Sequence, residues 1–223
     1  MEIHKPKPWH GWREFLKEYG IIVLGVLTAL GAEQCVEMLH WRQEVADTRE
    51  SLHRELADDR TRLERMALQD ACYLRRLDDL DRWADRGFPG SPSLGDPIFR
   101  SFHTSAWEVA KASQAAAHIP LAERLRYGSL FDALATGREA VNDEREAWTA
   151  ILAVAAAPGG AGAGDRMKQA TAVARDRAHR RRFNYPFLSS GFDALGVRPD
   201  PAAAARETTD GRLCGPLLPA GKS

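Results

Sequence analysis

Tyr19 to Ala32 reads YGIIVLGVLTALGA, fourteen residues without a charge, set between Lys17 and Glu18 on one side and Glu33 on the other. A hydrocarbon core about 30 Å thick asks for ~20 helical residues, so this run alone has the length of a signal-peptide core or a buried helix. Its flanks extend it. Val36, Met38 and Leu39 continue the apolar character, and Tyr19 to Leu39 makes 21 residues, or roughly 31 Å at the helical rise. Trp9, Trp12 and Tyr19 stand on one side of this stretch and Trp41 just beyond the other, where aromatic rings mark the two membrane interfaces. Trp12 to Trp41 covers roughly 44 Å of helix, close to the bilayer thickness with headgroups.

The stretch therefore reads as one transmembrane helix over residues 19–39, with Trp9, Trp12, Tyr19 and Trp41 at the interfaces. Two rivals stand beside it. A buried helix of a soluble protein rarely carries tryptophans at both ends of an aliphatic run. A cleaved signal peptide fits the small residues Ala29 and Gly31 before Ala32, but the eighteen-residue head carries Glu2, Glu14 and Glu18, unlike a signal n-region. No lipobox precedes Cys35, because Glu33 and Gln34 occupy positions that need small residues. Lys5, Lys7, Arg13 and Lys17 precede the span, and Arg42, Arg49 and Arg54 follow it. That slim basic excess favours head 1–18 in the cytoplasm and the remainder across the membrane, which for a bacterial chain means the periplasm, with membrane lipid as the first expected partner.

Composition agrees with a folded chain. Of 223 residues, 44% are hydrophobic and 28% charged, which excludes a wholly disordered polypeptide. The 31 basic and 31 acidic side chains cancel, so a globally positive nucleic-acid binder is excluded and no nucleic-acid partner is expected. Three cysteines do not make a disulfide framework. Cys72 and Cys214 could pair in an oxidising compartment; three unpaired thiols, two of them buried, is the equal alternative.

The opening HKPKPWHGWREFLKEYGIIVLGVLTALGAEQ, His4 to Gln34, resembles the start of a group of small, uncharacterised bacterial single-span membrane proteins, in which a basic, Trp-containing head leads into such a span and then a helical domain. The likeness covers residues 4–40, with a fainter echo at TSAWEVAKAS, Thr104 to Ser113. It implies a single-span topology and carries over no catalytic residue.

Beyond Leu39 the helical pattern continues, with no proline between Trp9 and Pro89 and no glycine between His40 and Gly87. Val45, Leu52, Met66, Tyr73 and Leu80 form one seam at seven-residue steps or multiples of them, and Leu56, Leu63, Leu77 and Ala84 form a second. Asp59 and Asp70 interrupt the seams, which favours packing against later helices over a two-stranded zipper. The segment FPGSPSLGDP, Phe88 to Pro97, is a loop. A second helix should follow, with Ile98, Phe99, Phe102, Trp107 and Val109 as its apolar residues and Pro120 as its end. A third is expected from Leu121 to Ala157, with Leu125, Leu130, Phe131, Leu134, Val141, Trp148, Ile151 and Leu152 in the core and Gly128 and Gly137 weakening it. PGGAGAG, 158–164, is a connector without P-loop context. A fourth helix spans about Asp165 to Asn184 and ends before Pro186. The expected fold is all-α: a span continuing into a long amphipathic helix, an antiparallel bundle of about four helices over 40–192, and a mobile, Pro-rich tail over 193–223.

Three patterns are candidates for chemistry. Gly25, Ala29 and Glu33 share one helix ridge and could pack a second helix in the membrane; water-exposed Glu33, Gln34 and Glu37 at the interface is the blander reading. Glu37 with His40 and Glu50 with His53 repeat E-x-x-H, the spacing of carboxylate-bridged metal bundles. Both lie on one helix roughly 20 Å apart, which favours surface coincidence. Arg175, Arg177, Arg180, Arg181 and Arg182 form a basic run that could hold anionic lipid or nucleic acid, or simply a solvated helix end. No cofactor is indicated. The expected function is a non-enzymatic, membrane-anchored interaction or scaffold module that binds another protein or a second copy of itself. The alternatives are a membrane-tethered metalloenzyme using the E-x-x-H pairs, and an anionic-lipid or nucleic-acid binder using the arginine run.

Overall fold

A computed structural model describes residues 11–206 and 210–218 of the chain, without the side chains of 205 and 206. The first ten residues, with the interface candidate Trp9, lie outside the described residues. Among the described residues every regular element is helical: α1 (Trp12–Asp85), α2 (Ser105–Ala112), α3 (Ala115–His118), α4 (Leu121–Ala156), α5 (Ala163–Phe183), α6 (Tyr185–Ala194), α7 (Pro201–Arg206) and α8 (Gly211–Cys214). The chain divides into two units, Met1–Asp47 and Thr48–Ser223, and the division falls within α1.

In the first unit, α1 carries the apolar run. Each residue from Tyr19 to Leu39 is exposed, except the half-buried Val23. The second unit holds the core. Leu52, Met66, Tyr73 and Leu80 of one seam are buried, as are Leu56, Leu63, Leu77 and Ala84 of the other; Val45 is buried too. A seven-residue repeat on a helix keeps one stripe facing inward, and later helices close over it. Tyr73, Leu77, Leu80 and Trp83 of α1 share a cluster with Trp148 and Ile151 of α4 and Met167 and Ala174 of α5.

Helix α1 stops where Gly87 and Phe88 both take left-handed backbone, φ 72° and 60°. The Phe88 N–H donates to the Trp83 carbonyl at 3.0 Å, and the Phe88 ring stands edge-on to Trp83 at 4.7 Å. Such a turn closes the carbonyls that a helix end leaves open.

The expected second helix begins later than its apolar pattern suggests. Residues 98–104 are not helical, and α2 starts only at Ser105. Side chains have taken the backbone groups that a helix would use. Gln69 accepts from the Ile98 N–H and donates to its carbonyl, both at 2.8 Å. Asp59 accepts the His103 N–H at 2.9 Å, and Arg138 donates to the Phe102 carbonyl at 3.0 Å. Glu55 then accepts from the Ser105 hydroxyl and the Ala106 N–H, capping α2 from another helix. Phe102 and Trp107 are buried, whereas Val109, an expected core residue, is exposed.

The third helix falls where the sequence puts it, as α4. Leu130, Phe131, Leu134, Val141, Trp148 and Ile151 are buried; Leu125 and Leu152 face solvent. Gly137 has a packing reason, since a Cβ there would stand 3.0 Å from the Phe102 ring that crosses it. The fourth helix is α5, which packs on α4. Helix α5 ends at Phe183, before Pro186 as expected, and Pro186 then sits in the first turn of α6, where its missing N–H costs nothing.

The tail departs from expectation. Among its described residues Val197, Ala203, Leu213 and Leu217 are buried. Arginines of α1 supply the donors that a proline-rich segment lacks. Arg60 donates to the Val197 carbonyl at 2.7 Å, Arg65 to that of Ala204 at 2.9 Å, and Arg76 to those of Arg212, Leu213 and Gly215. Cys72 and Cys214 form a disulfide.

Candidate functional site

The apolar segment of α1 is the one surface in the first unit with an evident demand for a partner. Ile21, Ile22, Leu24, Val26, Leu27, Leu30, Val36, Met38 and Leu39 are all exposed. This is the one helix among the described residues long and apolar enough to cross a membrane, and none of its apolar window is buried within the chain. The hydroxyl of Thr28, the single polar side chain between Gly20 and Ala32, donates to the Leu24 carbonyl at 2.8 Å. A hydroxyl satisfied by its own helix makes no demand on the surroundings. Trp12, Phe15 and Tyr19 form a ladder at one end, with centroids 6.0 and 6.1 Å apart, and Trp41 lies 5.4 Å from His40 at the other. Gly25, Ala29 and Glu33 are exposed, and nothing lies within 4 Å of a Cβ built on Gly25.

The E-x-x-H residues do not converge. Glu37 and His40 are exposed in the first unit. In the second, Glu50 pairs with Arg54 at 2.7 Å, and His53 Nε2 meets the Tyr127 hydroxyl at 2.9 Å. Among the described residues no three His, Cys, Asp or Glu side chains gather as a metal site.

Each arginine of the basic run has a carboxylate partner within the chain. Arg175 reaches Asp78 and Asp81 at 2.8 and 3.0 Å, Arg177 reaches Asp143 at 3.0 Å, and Arg180 reaches Asp176 at 3.0 Å. Arg181 is not on a solvated face at all. Its side chain is 3% exposed, held by Asp70 at 2.6 Å and by both oxygens of Glu144. Arg182 lies 3.5 Å from the second Asp70 oxygen. Burial pushes the Asp70 and Glu144 carboxyls above their ordinary range, against the pull of the guanidinium. Apart from Arg180, which pairs along its own helix, the run is thus a set of ties from α5 to α1 and α4.

The second seam break, Asp59, is also buried. It accepts from Arg62 at 2.6 Å and from the His103 N–H, and burial pushes its carboxyl up to about 7. Beside it opens a cleft of about 460 Å³ lined by Ser51, Glu55, Asp58, His103 and Val109. A second cleft of about 620 Å³ lies between Asp96–Arg100, the α4 face of Arg145 and Trp148, and the tail residues Asp210 and Arg212. Sequence reading missed Arg76, Gln69, Glu144 and Arg138. Asp70, standing where a seam needed an apolar side chain, was a signal for the buried group that holds Glu144; Arg76, Gln69 and Arg138 bond mainly to backbone groups and left no such mark in the sequence.

No family model matches the chain, and neither a curated relative nor a solved structure matches it.

Proposed function

We propose that this protein is a single-span protein of the bacterial inner membrane, whose helical bundle stands on the oxidising, periplasmic side and acts as a non-enzymatic interaction module. The observation that carries the reading is the bare apolar face from Tyr19 to Leu39. Each large aliphatic side chain left in water forgoes about 1.5–3 kcal/mol of burial, so this length of helix needs a cover. Lipid fits it: the length, the satisfied Thr28 hydroxyl and the aromatic ends all suit a bilayer. The Cys72–Cys214 bond supports the periplasmic side, since disulfides persist in oxidising compartments. The resemblance of residues 4–40 to single-span proteins points the same way.

Membranes washed with alkaline carbonate are expected to retain the full-length protein, and detergent to release it, with residues 1–18 intact. A reporter fused after residue 160 should be active only as a periplasmic enzyme. Recovery in the soluble fraction with the head removed would mean that 19–32 is a cleaved leader. Leu24→Arg with Leu27→Arg should shift the protein from membrane to supernatant, each charge costing about 2.5–3.5 kcal/mol near the span centre. Cross-linking in detergent then distinguishes a second copy, at doubled mass, from another protein partner.

A further inference from the structure

We propose that the Cys72–Cys214 disulfide is a thiol–disulfide exchange site, entered by a dithiol at Cys214 with Cys72 as the leaving sulfur, and that it latches the C-terminal strap 210–218 onto α1. The two cysteines differ in ways that set the direction of attack. Cys214 is an exposed residue of the strap, while Cys72 is half-buried on α1. Arg75, one helical turn along and itself exposed, directs its Nη2 at the Cys72 sulfur at 3.9 Å. A guanidinium at that sulfur stabilises negative charge arriving there, and exchange runs faster when the departing thiolate is stabilised.

The step balances without further reagents. A thiolate of the dithiol attacks the Cys214 sulfur, the Cys72–Cys214 bond breaks, and its electron pair leaves on Cys72, which takes a proton. The dithiol's second sulfur then attacks the sulfur now bonded to Cys214. Cys214 departs as a thiolate and is protonated, and the dithiol leaves as its own disulfide. The protein gains two electrons and two protons, and the dithiol loses them.

The strap gives this chemistry a consequence. Its other anchors are non-covalent: three carbonyls on Arg76, the Asp210 carboxylate on the Asp96 N–H at 2.9 Å, the Leu217 carbonyl on the Ser93 N–H at 2.6 Å, and the buried Leu213 and Leu217. Asp210 and Arg212 form one wall of the larger cleft. Opening the bond frees that wall to move and exposes the seat of Leu217 in the cluster that also holds Leu77, Leu80 and Trp83. None of this depends on whether α1 lies in lipid.

The test uses the full-length protein in detergent, without denaturant. Brief exposure to glutathione, followed by an alkylating quench and peptide mass analysis, should place the mixed disulfide on Cys214 and the alkyl group on Cys72. Reduction by dithiothreitol should slow about threefold in Arg75→Gln and return toward the wild-type rate in Arg75→Lys, as a charge-assisted leaving group requires. Trypsin should cut after Arg212 at least about tenfold faster once the bond is reduced, if the bond is the latch. Adducts mainly on Cys72, an unchanged rate in Arg75→Gln, or reduction only in denaturant would overturn the exchange site. Equal cleavage at Arg212 before and after reduction would overturn the latch.

Discussion

Arg181, Asp70 and Glu144 place three ionisable side chains in the core, each from a different helix, within one hydrogen-bonded group. Removing Arg181 takes from Glu144 the guanidinium that holds it and leaves Asp70 with Arg182 at 3.5 Å, at a cost of about 3–5 kcal/mol, whereas replacing all three by apolar side chains removes the burial penalty as well. Arg181→Met should therefore lower the urea midpoint of the full-length protein in detergent far more than the triple change Arg181→Met, Asp70→Leu, Glu144→Leu. Equal losses would show that the group contributes no pairing energy. Asp59 makes a pH prediction. Folded, it keeps its proton up to about 7, whereas an unfolded aspartate releases it near 3.9. The folded chain binds more protons between those values, so this site favours folding most on the acid side and loses that contribution as pH rises from about 4 to about 7. Asp70 and Glu144, also raised, act in the same direction. Melting temperature should rise from about pH 8 to about pH 5.5, and Asp59→Asn should flatten part of that slope. A slope untouched by Asp59→Asn would assign the titration to other groups.

At the scale of elements, the long helices came out where local sequence signals put them, and segments decided by side chains from distant parts of the chain did not. Helices α1 and α4 rest on apolar residues visible in their own sequence, α5 is bounded by the Gly-rich connector and Pro186, and the seams of α1 are buried throughout. Segment 98–104 has the apolar residues of a helix yet is held open by Gln69, Asp59 and Arg138, which lie on helices far away in sequence. The tail has the prolines of a mobile end, yet its described residues are tied to α1 by Arg60, Arg65 and Arg76. Gly95 shows how closely that strap is seated. With φ +74°, a Cβ there would stand 2.4 Å from the Leu213 nitrogen, while at Gly90, φ +68°, the nearest atom is a Leu218 methyl at 3.7 Å. Gly95→Ala should cost about 1–3 kcal/mol, by strain and by displacement of the strap, and Gly90→Ala about 1 kcal/mol, by strain alone. Melting curves of the two variants at equal oxidation check the difference.

For the whole molecule, one covalent bond closes a separation of 142 residues, from the C-terminal part of α1 to the last described helix. Loop-closure entropy for a ring of that size is worth about 5 kcal/mol, so Cys214→Ser should lower the melting temperature of the full-length protein markedly, with Cys35→Ser as the neutral control because that exposed thiol is free. An unchanged melting temperature would mean that the strap's non-covalent anchors suffice. The sequence by itself determined the helical class, the apolar N-terminal stretch and the inward stripes of the long helices, because each depends on residues within a few turns of one another. Tertiary structure alone decided which cysteines bond, where the arginine run turns inward, and how the tail is held. Those contacts join residues tens to more than a hundred positions apart, and no local periodicity records which distant carboxylate or carbonyl will meet a given guanidinium.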